Sequence, residues 1–159
     1  MVKLNKKGYL ASVVAVSIAV FLIDLTVKMV NKTNDNYTNT LFLTDKALIT
    51  NHLRKEIKQD IQSNEGLKSA GIKNGSCYLE YNNGSGKWIN ISKDEENRDA
   101  ITYSPGYSKT INKDIKYSDI NIKTCTLENN YLIIKINFED IFTTTNNRDI
   151  EIVLYNSTK

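Results

Sequence analysis

Proline and glycine are scarce in this chain of 159 residues, which holds one Pro and seven Gly. That scarcity excludes a collagen repeat and a Pro/Gly-rich disordered tail. Histidine is reduced to His52, and cysteine to Cys77 and Cys125. A zinc site needs three or four soft ligands close together, and the sequence has no such group. A Gly-rich phosphate loop, a Gly-x-Ser-x-Gly elbow and a His-Glu-x-x-His helix are all missing. Neither an enzyme nor a cofactor is expected. Long apolar runs number one, which excludes a multi-span membrane protein. What the chain has in excess is 20 Asn and 19 Ile. Such a bias reflects an AT-rich coding sequence more simply than a function.

Excess charge is also missing from the body of the chain. The formal charge is +3, yet residues 31–159 hold 17 Lys/Arg against 17 Asp/Glu. Lys3, Lys6 and Lys7 carry the whole excess, because Asp24 and Lys28 cancel. A nucleic-acid-binding domain needs its charge on the folded part. Lys109, Lys113, Lys116 and Lys123, interleaved with Tyr107 and Tyr117, form a local basic patch that Asp114 and Asp119 dilute. DNA contact is therefore not indicated by charge. Asp94-Glu95-Glu96 reads as a solvated loop, without the alternating ligands of an EF-hand.

Tyr9–Ile23 is the long apolar run, with no charge in YLASVVAVSIAVFLI. A span needs about 20 apolar residues. Extending to Val30 reaches that length by taking in Asp24 and Lys28, spaced as a favourable helical pair. The basic end predicts a cytoplasmic N-terminus. A secretory cleavage site is not evident in FLIDLTVKMV.

Lys6-Lys7-Gly8 abuts Tyr9 at the head of that run. This resembles the class III leader of type IV pilins and minor pseudopilins, whose basic leader ends in Gly. The resemblance implies prepilin peptidase cleavage between Gly8 and Tyr9 and N-methylation of Tyr9. Leu10, Val13, Val14, Ile18, Phe21, Leu22 and Ile23 would then line a helix that first crosses the cytoplasmic membrane and later packs in a filament. The family usually carries Glu at the fifth mature position, and here that position is Val13. Tip-located minor pseudopilins also lack it, so the resemblance implies a priming or capping subunit. Within the family, the F-type minor pseudopilin of Gram-positive competence operons is the most similar. Implied partners are other pilin or pseudopilin subunits and prepilin peptidase. The implied place is the cell membrane, with an extracellular head, then a surface filament for DNA uptake or protein secretion. Two rivals remain: an uncleaved single-pass anchor displaying an extracellular β binding domain, and a secreted protein cut after the apolar run.

The remaining pattern is helix first, strands after. Neither Pro nor Gly occurs from Tyr9 to Ser63. In Leu41–Ile61 the residues Leu43, Ala47, Leu53, Ile57 and Ile61 recur at helical spacing, with Phe42 and Ile49 flanking. Asn31–Thr40 is rich in poor helix formers, and reads either as a break or as the soft middle of one long helix. Beyond Gly66, period-two runs are expected at 77–81, 87–92, 101–103, 119–127, 131–138 and 149–155, separated by Asn/Gly turns. The expected fold is α+β: a long helix, membrane-spanning in its first half and amphipathic in its second, packed on an antiparallel β head. The parts are a basic leader (1–8), an apolar helix (9–30), an amphipathic helix (31–63) and the head (64–159). Cys77 and Cys125 fall in predicted strands. They are either buried thiols or one disulfide closing a loop of about 49 residues, worth roughly 3–4 kcal/mol.

Overall fold

A computed structural model describes residues 6–104, 107–111, 117–140 and 148–157, with side chains from Ser12 onward except at 107–110 and 140. The architecture is α+β. Helix α1 (Lys6–Ser63) precedes β1 (Leu67–Lys73), β2 (Ser76–Tyr81), β3 (Gly86–Lys93), β4 (Asp99–Ser104), β5 (Tyr107–Thr110), β6 (Tyr117–Glu128), β7 (Tyr131–Asp140) and β8 (Arg148–Tyr155). Two compact units divide the chain, Met1–Thr40 and Leu41–Lys159.

The Asn/Thr-rich stretch is helical. Its threonines turn their hydroxyls back on the helix: Thr33 Oγ1 donates to Met29 O and Thr40 Oγ1 to Asn36 O, each at 2.9 Å. Such back-bonding removes the competition that usually draws threonine out of helices. The helix stops at Glu65 and Gly66, both at positive φ (62° and 89°), where Gly66 N–H reaches Ile61 O at 2.8 Å. That is the Schellman pattern, and it returns the last carbonyls to partners.

In the second unit the buried helix face is Phe42, Asp45, Ile49, Leu53, Ile57 and Ile61. Leu43 (53% exposed) and Ala47 lie outside it, contrary to the sequence expectation. At 3.6 residues per turn Ala47 sits about 120° from Leu53, whereas Ile49 sits about 40° away. The flanking residues are therefore the stripe.

The strands form two sheets where one was expected. A five-stranded meander runs β1-β2-β3-β4-β5, and a three-stranded one runs β6-β7-β8, all antiparallel. β6 lies alongside β1 without sharing its ladder. Strands β1 and β5 were not foreseen. Asn74 and Gly75, at φ 52° and 76°, make the two-residue turn that joins β1 to β2. Both sheets and the helix stripe share one apolar core. Phe42 meets Phe138 of β7 edge-on at 5.6 Å between ring centres, and Tyr117 of β6 meets the same ring at 5.1 Å.

Candidate functional site

The first unit is an apolar surface with nothing on it. Every residue from Ser12 to Tyr37 is exposed, including Val13, Val14, Ile18, Phe21 (61%), Leu22 and Ile23 (64%). Its most apolar stretch has a mean hydropathy of 2.3, and none of that stretch is buried within the chain. Fully burying one such side chain is worth about 1.5–3 kcal/mol, so a dozen left in water is a large unfavourable sum. The polar groups along the same surface are answered locally. Ser17 Oγ donates to Val13 O and Thr26 Oγ1 to Leu22 O, at 2.9 and 2.8 Å. Lys28 Nζ meets Asp24 Oδ2 at 2.7 Å, the pairing that their spacing predicted. An apolar medium tolerates a helix only when its polar groups find partners within it. This helix has the length and apolarity of a single-pass membrane anchor.

Gly8, Tyr9 and Leu10 fall in the opening turns of α1. Their side chains, and Lys3 altogether, lie outside the described residues. So do the side chains of Lys109, Lys113 and Lys116; of that basic patch, Lys123 is exposed on β6.

In the second unit, Cys77 of β2 and Cys125 of β6 form a disulfide, with Cα atoms 5.6 Å apart and both residues fully buried. The bond joins the two sheets, which share no ladder. A second tie is Asn156, just past β8. Its amide accepts from Leu67 N–H at 2.6 Å and donates to Leu67 O at 2.9 Å, pairing with β1 as a strand would. Nothing in the sequence marks Asn156 among 20 Asn, because its role comes from the tertiary contact.

A third tie holds the last turn of α1 to the five-stranded sheet. Tyr81 and Tyr103 hydroxyls meet at 2.7 Å, and Tyr103 donates to Asp60 Oδ2. Lys87 Nζ lies 2.7 Å from that carboxylate oxygen and 5.0 Å from the Tyr103 ring centre. Burial pushes both phenols well above the ordinary tyrosine range, and the bond to Asp60 raises Tyr103 further. The alternation Cys77, Leu79, Tyr81 signalled that Tyr81 faces inward, but not that it meets Tyr103.

Asp94 closes the β3–β4 loop: its Oδ1 accepts from Glu96 N–H and Arg98 N–H at 3.0 and 2.9 Å, and Oδ2 pairs with Arg98. Its carboxylate is engaged within the loop. His52 is exposed on α1. Among the described residues no three His, Cys, Asp or Glu side chains gather as a metal site.

An apolar, unpartnered helix carried by a disulfide-tied β head defines the architecture of a membrane-anchored α+β protein. No protein-family model, curated protein or solved structure matches the chain.

Proposed function

We propose that this chain is a minor pilin or pseudopilin, a structural subunit that primes or caps a type IV pilus-like filament for DNA uptake or protein secretion. The observation that carries the reading is the wholly exposed apolar face of Ser12–Val30, preceded by Lys6-Lys7-Gly8-Tyr9. Such a face needs either lipid or other helices, and a pilin-like subunit uses them in turn. Cutting after Gly8 removes the three lysines that hold the N-terminus in the cytoplasm and leaves the apolar helix free to join a filament.

The buried disulfide supports a head outside the cytoplasm, because such bonds persist in oxidising compartments. The positive leader supports the same orientation by an independent route. Val13 leaves the new terminus without the family's usual acidic partner, which favours a tip position over a filament body. The roles expected at Tyr9 and along the helix involve binding and assembly, with no chemical step by this chain.

The test is the intact mass and N-terminal peptide of the chain made with and without prepilin peptidase. Loss of Met1–Gly8, with a methyl-sized addition on Tyr9, is expected, and Gly8→Val should block it. An intact leader in both samples, or normal processing of the Gly8 variant, rejects the reading in favour of an uncleaved anchor with a surface β domain.

A further inference from the structure

The two sheets present opposite chemistry on their outer faces. On the three-stranded sheet the groups satisfy one another: Lys135 Nζ lies 3.3 Å from Glu151 Oε1, and Asn137 Nδ2 donates to Asp149 Oδ1 at 2.8 Å. Tyr131 and Tyr155 pack there edge-on. On the five-stranded sheet the inward residues Cys77, Leu79, Tyr81, Ile89 and Tyr103 leave the alternate positions facing out. There Tyr78 and Trp88 sit directly opposite one another, ring centres 4.6 Å apart and planes inclined at 46°. Around them stand Ser76, Asn90, Thr102 and Ser104, whose side chains make no hydrogen bond within the described chain.

Charge is nearly absent from this surface. Lys68 is paired with Glu80 at 2.6 Å, and Lys73 Nζ is parked 4.0 Å from the Tyr78 ring centre. Two glycines shape it. A Cβ at Gly86 would overlap the Tyr78 phenol, so glycine is what lets that ring lie against the strand. A Cβ at Gly71, opposite Tyr78 on β1, would meet nothing. The ring pair is therefore bordered by open space.

We infer that the outer face of the five-stranded sheet, centred on Tyr78 and Trp88, binds an uncharged glycan chain. Sugar rings offer apolar C–H faces for aromatic surfaces and hydroxyls on their rims. Aromatic side chains supply flat contact at low entropic cost. Amide and hydroxyl groups supply matching donors and acceptors. Neighbouring strands lie about 4.8 Å apart, and alternate residues along a strand about 6.8 Å apart. Asn90, Thr102 and Ser104 thus stand about one sugar ring away from the aromatic pair. A single-stranded nucleic acid would also stack on the rings, but its phosphates need free cations along the track. Lys68 and Lys73 are already engaged. A flat sheet best suits a flat ribbon, which is the form of β-1,4-linked hexopyranose chains. This inference does not rest on the pilin-like reading.

Trp88 is the single tryptophan, so its emission reports the site directly. The experiment titrates the full chain, in a detergent without a sugar headgroup, with cellotetraose, chitotetraose and, as a curved control, maltotetraose. The two flat tetrasaccharides should change Trp88 emission saturably below about 10 mM, which is the range of a weak but specific site. The Asn90→Ala/Thr102→Ala pair should weaken that response at least about five-fold, as loss of two hydrogen bonds implies. Gly86→Ala should weaken it too, by lifting Tyr78. Circular dichroism and an intact disulfide verify the fold of each variant. No saturable change with either flat sugar overturns the inference. So does a response that the variants leave untouched, or one to a thymidine dodecamer alone.

Discussion

At the scale of single residues, the head depends on polar side chains set inside an apolar core. Tyr81 and Tyr103 hold their protons more tightly in the folded chain than unfolded tyrosines, which titrate near 10. Above that pH the unfolded chain releases protons that the folded one retains. Stability is therefore at full value below about pH 10 and falls as pH rises beyond it, by about 1.4 kcal/mol per unit for each phenol. Urea unfolding followed by Trp88 emission should show this alkaline slope, and Tyr81→Phe should reduce it by about half. Asn156→Ala should cost about 2–5 kcal/mol in the same assay, because it leaves Leu67 N–H and C=O buried without partners. Neither role was legible in the sequence. A tyrosine's direction follows from strand alternation, but which hydroxyl it meets depends on strands 22 residues apart in the chain.

At the scale of elements, the sequence reveals type more readily than boundary. Six of the eight strands were visible because Ile, Tyr and Thr alternate in them, with Asn and Gly at their turns. β1 was missed because Leu67–Lys73 holds Ser69, Ala70 and Gly71, a weak strand composition that survives by pairing with β2. β5 was missed beyond Pro105-Gly106, where a stop signal separates two strands of the same sheet. The division into two sheets had no local signal at all. On the helix, Leu53 is fully buried, and Leu53→Ala should destabilise the head by about 2–5 kcal/mol through the cavity it leaves. Leu43→Ala, on the exposed side, should change stability by less than about 0.5 kcal/mol. The pair of unfolding curves distinguishes the observed stripe from the one that spacing alone implied.

At the scale of the whole molecule, the chain is two units with opposite needs. Met1–Thr40 offers an apolar surface that water does not tolerate, while Leu41–Lys159 carries its own core. A chain begun at Leu41 should therefore be soluble, keep the Cys77–Cys125 bond and stay out of the membrane fraction. The full chain should partition into detergent or membrane. Recovery of the truncated chain in the membrane fraction would place a membrane-binding surface on the head. This division was the most legible feature of the sequence, because a fifteen-residue uncharged run needs no tertiary context to be read. The leader's processing is tested by mass, as above, and rests on residues 6–9 alone.

The Cys77–Cys125 bond has a further consequence if the head is ever put under tension. Stretched from its two ends, an oxidised chain bypasses the 48-residue stretch between the cysteines. That withholds about 160 Å of contour length. A pulled subunit would then yield a short, bounded extension rather than pay out its whole thread, and a reductant would lengthen the tether by that amount.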